Sequence, residues 1–245
     1  MFIKLQNSKY KIFVEKIDNY FKDSQHSIHK ARNEIKIINF QNEELVVKSF
    51  KIPHLLNKVV YTFFRDSKAK KSYENSIKII NFVPKPIAYL EFKKFGLLNK
   101  SYFISENFKY NFTIREPLLD DTFTDRDNIF KAFAKFTYEL HQNNIFHLDY
   151  SPGNILIKKE NNNYIFNIVD INRMEFFNLK QVDRAKNFSK LWADDDILIT
   201  IASEYKKYYQ CNDDFIQQVL LFSNKNKKVK NFKKELKSKF RNSNG

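Results

Sequence analysis

The sequence predicts an α+β protein of two lobes, a small antiparallel sheet with one long helix ahead of a mostly helical half. Three observations lead there. Residues 34–50 hold two apolar-rich runs around a polar centre, the pattern of a β-hairpin. A helical stretch follows from about Leu55 to Asn81, with a break expected near Arg65-Asp66-Ser67. Beyond residue 106, helical periodicity dominates around a single short hairpin. The lobes are therefore set at 1–106 and 107–245, and 245 residues suffice to bury a full core.

Each element has a local reason. Glu34 to Phe40 and Leu45 to Phe50 are the hairpin strands, with Gln41-Asn42-Glu43-Glu44 between them. Phe82 to Leu90 passes Pro84 and Pro86 and turns into a strand, and Tyr102 to Ser105 is another, ending at Glu106-Asn107. Asp125 to Gln142 places Ile129, Phe130, Phe133, Phe136, Thr137 and Leu140 on one helical stripe, with Thr124 or Asp125 as N-cap. Ile155-Leu-Ile157 reads as a buried strand. Lys158 to Asn163 is then a polar turn, and Tyr164 to Val169 a second strand. From Asn224 to Arg241, Val229, Phe232, Leu236 and Phe240 share one helical face among lysines. That face is expected to pack on the helical lobe, although a basic amphipathic helix also suits an anionic membrane surface.

Composition narrows the class. Forty-three basic residues against twenty-eight acidic leave a net charge of +15. Such a surface attracts nucleotides, nucleic acid or acidic lipid, while the abundance of Lys, Asn, Ile and Phe also fits an AT-rich coding bias. The single cysteine, Cys211, excludes an internal disulfide and reads as a small buried hydrophobe. No run approaches eighteen apolar residues, and the N-terminus lacks the long apolar stretch of a signal peptide. A cytoplasmic protein, soluble or peripheral on the inner membrane, is the expectation.

The stretch His147-Leu-Asp-Tyr-Ser-Pro-Gly-Asn154 has the spacing of a kinase catalytic loop, in which a His and an Asp two residues apart precede an Asn five residues on. In that chemistry Asp149 faces the acceptor hydroxyl and takes its proton, while Asn154 returns to hold magnesium on the phosphates. Ser151-Pro152-Gly153 supply the turn, with Pro fixing φ and Gly tolerating a positive one. The hairpin after the loop leads into Asp170, the position of the second magnesium carboxylate.

The first lobe offers the phosphate side. Leu45-Val-Val-Lys48 resembles the kinase strand whose lysine pairs the α- and β-phosphates. Alternation is expected to turn Val47 and Phe50 away from the face of Lys48. Lys51 is the competing lysine. Glu74 is the acid chosen to pair with Lys48, and the backbone of Glu106 to Phe108 is placed to hydrogen-bond adenine, by order along the chain. One feature is missing. Kinases cover the phosphates with a glycine-rich loop, yet the three glycines are Gly96, Gly153 and Gly245. The corresponding segment, Asp23 to Asn33, offers backbone amides with Lys30 and Arg32. Asp170 is followed by Ile171-Asn172 and not Phe-Gly, and no Ala-Pro-Glu ends an activation segment, which favours a small-molecule or sugar kinase.

Over roughly Leu45 to Trp192 the chain resembles the bacterial lipopolysaccharide kinases, the Kdo kinase and core-heptose kinase group. The resemblance rests on Leu45-Val-Val-Lys48, Arg65-Asp-Ser-Lys-Ala-Lys-Lys-Ser-Tyr-Glu-Asn75, Pro84-Lys-Pro-Ile-Ala-Tyr89, the catalytic loop, and Val169-Asp-Ile-Asn-Arg-Met174. It implies ATP-dependent phosphorylation of a sugar hydroxyl, Kdo or heptose, in an anionic glycolipid at the cytoplasmic face of the inner membrane. Carried over, Asp149 is the base, Asn154 and Asp170 bind Mg2+, and Lys48 anchors phosphate. Glu74 aligns less securely, with Asn75 as an alternative. Arg173 could bind an acidic sugar or form a salt bridge. Two rivals stand beside this reading. One is a small-molecule kinase of the aminoglycoside or choline type, with Asp194-Asp-Asp196 as candidate contacts for a cationic acceptor. The other is an inactive, basic kinase-like binding protein. Nucleic acid is not the expected partner.

Overall fold

The structure, a computed structural model, describes residues 1–30, 33–50 and 54–242. The chain divides into two compact units. The first holds Met1–Lys109 together with Asn167–Asn172, and the second holds Tyr110–Phe166 and Arg173–Gly245. A single cut after residue 106 assigns 167–172 to the second half, whereas the contacts group that segment with the first.

The first unit is a six-stranded sheet between two helical layers. Its elements in chain order are β1 (Phe2–Leu5), α1 (Lys11–Glu15), α2 (Ile17–Asp23), β2 (Ser27–Lys30), β3 (Glu34–Phe40) and β4 (Glu43–Phe50). Then come α3 (Leu55–Phe63), α4 (Lys68–Lys78), β5 (Pro86–Lys94) and β6 (Leu97–Glu106). The strand order is β1-β5-β6-β4-β3-β2, and every neighbouring pair is antiparallel. The expected hairpin forms with a shorter turn, because Glu43 and Glu44 join β4. Gln41 (φ 48°) and Asn42 (φ 66°) alone make the connection, in the doubly left-handed geometry that matches strand twist.

Two-residue alternation separates the faces of this sheet. Leu45 and Val47 of β4, with Tyr102 and Ile104 of β6, pack on Phe13, Val14 and Ile17 of the N-terminal helices. Phe50 lies on the other face with Tyr89, Phe103 and, from α4, Ala69 and Tyr73. Helices α1 and α2 have no counterpart in the sequence reading, since five and seven residues are too few to display a helical period. The helical stretch after β4 divides into two at the break expected near Arg65–Ser67. Ser67 breaks it, accepting the Lys70 N–H at 3.0 Å as N-cap of α4.

Lys36 fastens α2 to the sheet. It points to the same face as Ile38 and Phe40, and its buried ammonium donates to the carbonyls of Phe21 (2.7 Å) and Ser24 (2.8 Å) at the helix end. A cation there satisfies orphan carbonyls and complements the helix dipole. Asp18 ties the same helix to β6 by accepting from Lys100 and the Tyr102 hydroxyl, both at 2.8 Å.

The second unit contains β7 (Phe112–Thr113), α5 (Arg115–Leu119), α6 (Arg126–Gln142), β8 (Ile145–His147), β9 (Ile155–Glu160), β10 (Asn163–Ile168), β11 (Met174–Phe176), α7 (Gln181–Asn187), α8 (Asp195–Lys206) and α9 (Phe215–Asn242). The last two residues of β10 pass into the 167–172 segment. The expected stripe of α6 is buried throughout, with Ala134 and His141 added to it. Asp125 stands at its N-cap in a left-handed conformation, with its carboxylate taken by Asn128 (2.6 Å) and the Tyr164 hydroxyl (2.5 Å). Tyr205 of α8 stacks on Phe215 of α9 at 5.3 Å and meets Phe188 edge-on at 5.4 Å.

Helix α9 begins nine residues before the sequence suggested, and this overturns the expectation about its packing. Phe215, Val219 and Ser223 are the buried positions. Val229, Phe232 and Leu236, expected to pack, are 47%, 61% and 38% exposed. The Phe240 side chain and residues 243–245 lie outside what is described. No described helix is long and apolar enough to cross a membrane.

Replacing Lys36 by Met removes the ammonium and strands two carbonyls. The fold is expected to lose about 1–3 kcal/mol, read as a lower urea midpoint by circular dichroism. An unchanged midpoint would remove Lys36 as the helix fastener.

Candidate active site

The loop between β8 and β9 is held backbone-first. His147 ends β8, almost fully buried, and its Nδ1 accepts the Asp149 N–H at 3.0 Å. Asp149 in turn offers its carbonyl to the Ser151 N–H (2.7 Å) and to the Asn154 Nδ2 (2.9 Å). The Asn154 N–H donates to Ser151 at 2.9 Å. Tyr150 is wholly buried, its hydroxyl 2.9 Å from that of Thr137 on α6 and its ring stacked on Phe133. These bonds leave the half-buried carboxylate of Asp149 without a partner among the described residues, on a backbone fixed from both sides. They also spend the Nδ2 of Asn154 and leave its oxygen as an acceptor.

Gly153 needs a different explanation from the one expected, because its φ is not positive. A Cβ there would lie 2.5 Å from Nη2 of Arg115. Glycine leaves room for this exposed guanidinium, at the start of α5, to lie against the loop.

Beneath the loop runs a buried polar chain that the motif does not announce. The Asn187 Nδ2 donates to the His147 carbonyl at 2.9 Å, and its Oδ1 lies 3.1 Å from Nε2 of His141. His141 Nδ1 is 2.9 Å from the Tyr205 hydroxyl, which accepts from Arg184 Nη1 at 3.0 Å. Arg184 also donates Nε to the Leu179 carbonyl and stacks over Tyr209. Directionality follows from the ends. The Asn187 oxygen can only accept, so His141 carries its proton on Nε2 and takes the Tyr205 hydroxyl on Nδ1. Burial and the nearby Arg184 cation push His141 down from 6.5 to about 3, so the ring is neutral in the fold. A histidine on an apolar helix face was the only sequence signal of this network. Arg184, Asn187 and Tyr205 gave none.

In the first unit, Lys48 donates to the Oδ1 of Asp170 at 2.6 Å. Asp170 has φ 58°, and the Nδ2 of Asn172 donates to the same oxygen at 2.7 Å. Asn172, two residues past the acid, thus orients the carboxylate. Two expectations change here. Glu74 does not pair with Lys48; it lies 3.7 Å from Lys70, one turn back on α4, and points to solvent. The residue of α4 that reaches this site is Asn75, whose Nδ2 donates to the Ile171 carbonyl at 2.7 Å. Phe50 shares the face of Lys48, with its ring centroid 5.4 Å from the ammonium, as residues two apart on a strand must. Lys51 lies outside the described residues.

At the end of β6, the Glu106 N–H donates to the Lys85 carbonyl at 2.9 Å and the Asn107 N–H to the Glu44 carbonyl at 3.0 Å. Of the three amides expected to face adenine, only the Phe108 N–H makes no hydrogen bond among the described residues. The Asp23 to Asn33 segment is mostly structured, since Ser27–Lys30 is β2 and pairs with β3. Ala31 and Arg32 lie outside the described residues. The guanidinium of Arg173 is exposed and forms no ion pair among the described residues, while its carbonyl accepts the Leu148 N–H at 3.1 Å. The Asp194 to Asp196 run opens α8, and Asp195 meets Lys227 at 3.5 Å.

Each expected ligand carries a hard oxygen of the kind magnesium takes, Asn154 on the loop of the second unit and Asp170 in the first unit. Among the described residues no group of three or more metal-ligating side chains forms a dedicated cage. One or two carboxyl-type ligands plus phosphate oxygens is how magnesium is usually held beside nucleotides.

An antiparallel sheet unit and a mostly helical unit carrying a His-x-Asp…Asn loop define a kinase-like bilobal fold. No family model and no curated protein matches the chain. Among solved structures, it is similar to WaaP in complex with acyl carrier protein. The TM-score is 0.60 over 94% of this chain and 99% of that one, at 11% sequence identity. The likeness is therefore one of fold.

Because His141 is neutral in the fold and titrates at 6.5 when exposed, its contribution to stability is complete above pH 6.5 and lost as pH falls toward 3. For this one group the slope reaches about 1.4 kcal/mol per pH unit. NMR of the imidazole nitrogens is expected to show His141 unprotonated well below pH 6.5; a midpoint near 6.5 would break the assigned network.

Proposed function

We propose that this chain is an ATP-dependent kinase that phosphorylates a sugar hydroxyl, of Kdo or heptose, in the lipopolysaccharide inner core at the cytoplasmic face of the inner membrane. One observation carries the catalytic part. The Asp149 carboxylate is unpaired among the described residues on a residue whose own backbone N–H and carbonyl are both hydrogen-bonded, and Asn154 is folded back onto that same residue. A general base needs this combination of free side chain and rigid mount. The sugar acceptor follows from the resemblance over Leu45 to Trp192, and the WaaP-like fold is compatible with it.

In the proposed reaction the acceptor oxygen attacks the γ-phosphorus in line as the bond to the β–γ bridging oxygen breaks. ADP leaves, and the hydroxyl proton passes to a carboxylate oxygen of Asp149. Asp149 orients the hydroxyl before it takes the proton. Lys48, held on a central strand of the sheet, supplies positive charge to the nucleotide phosphates. Asn154 and Asp170 would hold magnesium, which neutralises charge on the transferring group. Asn172 and Asn75 position Asp170 and the segment behind it. Phe108 keeps an N–H for the adenine ring. WaaP was solved with acyl carrier protein, so that protein is also a partner to examine here.

Phosphate transfer from Mg-ATP to inner-core lipopolysaccharide or Kdo–lipid A is the test. Asp149→Ala is expected to lower the rate by roughly 10²–10⁴ with ATP binding retained, and Lys48→Met to weaken ATP binding. Transfer to an aminoglycoside or choline, and not to the glycolipid, would replace the acceptor. ATP binding without transfer to any acceptor would leave a kinase-like binding protein.

A further inference from the structure

Helix α9 outruns the body that supports it. At 28 residues it is about 42 Å long. Its first half is anchored by Phe215, Val219 and Ser223 in the core and by the Asn226 Nδ2 on the Ser189 carbonyl at 2.6 Å. The last described ties are Lys227 to Asp195 at 3.5 Å and the Lys230 ammonium 3.7 Å above the Trp192 ring. Every residue from Val229 to Leu236 is exposed.

The exposed half has a pattern that solvation alone does not require. Val229, Phe232 and Leu236 stand at i, i+3 and i+7, which is one stripe along a helix. Lys228 and Lys230 lie to either side of it at one end, and Lys233 borders it further on. From Lys225 to Arg241 there are nine basic residues and a single acid, Glu235. At about 3.6 residues per turn the stripe is centred about 110° round the helix from Phe215, Val219 and Ser223, so it is not a continuation of the core. Scattered exposed apolar residues are ordinary, whereas an apolar line bordered by lysines is the design of a helix lying in a lipid interface. Lysine stems run beside the apolar face, and their ammonium groups reach the phosphate level.

We propose that residues 228–241 of α9 form a docking helix for an anionic lipid bilayer, with Val229, Phe232 and Leu236 in the acyl boundary and the flanking lysines on the headgroups. Charge selects this occupant. A second copy of α9 would bring eight net positive charges against eight, and an uncharged surface would leave the lysines without a role. Nucleic acid would engage the lysines but has no use for an aliphatic stripe. The proposal stands on the helix alone, whatever acceptor the kinase site takes.

The test is flotation of the full chain with vesicles of phosphatidylcholine, with and without phosphatidylglycerol, in the absence of ATP and acceptor. Binding is expected to the anionic vesicles only and to weaken with salt. The pair Lys228→Glu and Lys233→Glu, and separately the pair Phe232→Ser and Leu236→Ser, are each expected to lower partitioning by about tenfold or more. Because these side chains are exposed, the unfolding midpoint should not move. Equal binding to neutral vesicles, or full binding by either double variant, would overturn the proposal. So would a loss confined to Phe95→Ser, whose ring is 92% exposed at the β5–β6 turn. Lysine dependence without stripe dependence, with duplex DNA as competitor, would reassign α9 to nucleic acid. Since no phosphate transfer is measured, none of these results bears on the kinase reading.

Discussion

The hydrogen bond from Asn187 to the carbonyl of His147 is the interaction on which the loop from His147 to Asn154 depends. It fixes the last residue of β8, and His147 then fixes Asp149 through its ring nitrogen. Behind Asn187 stand His141, Tyr205 and Arg184, so three helices, α6, α7 and α8, contribute to the position of one carboxylate. Arg184 donates into this chain and the members beyond it pass the bonds on, so removing any one leaves its neighbours desolvated and unpaired. Aromatic packing of Tyr205 on Phe188 and Phe215 keeps water out, which is why the imidazole is neutral. The core of the second unit and the mount of Asp149 are thus the same set of side chains.

The first unit solves a different problem, that of keeping an ammonium on a strand inside a sheet covered on both faces. Lys48 sits where alternation directs it to the α4 side, over Phe50, and Asp170 receives it. Asp170 occupies a left-handed conformation that costs a non-glycine residue energy, and the bond from Asn172 to its carboxylate helps hold it there. Lys36, on the neighbouring strand, is directed to the opposite face and spent on a helix end. Two lysines of one sheet thus take separate duties from strand register.

Legibility in the sequence followed the range of the interactions. Spacing within eleven residues was enough to place Asp149 and Asn154 on one loop, because the turn between them is local. The hairpin of β3 and β4 and the apolar stripe of α6 were legible for the same reason. Glu74 was selected as the acid of its helix, but which side of α4 faces Asp170 depends on how that helix meets the sheet, and Asn75 is the residue presented. The amides of Glu106 and Asn107 looked available until strand pairing claimed them. Gly153 was read as a backbone requirement, and its neighbour Arg115, thirty-eight residues earlier, supplies the actual one.

By itself, then, the sequence determined the β3–β4 hairpin with its lysine-bearing strand, the apolar stripe of α6 and the turn from Asp149 to Asn154, since periodicity and turn chemistry act over a few residues. The tertiary structure decided which partner each polar group finds: Asp170 for Lys48, Asn187 for His147, the end of α2 for Lys36. It also decided that the apolar stripe of α9 stays uncovered. Those outcomes rest on contacts between residues far apart in the chain, where a side chain's partner is set by the packing of whole helices and strands and leaves no mark in local spacing.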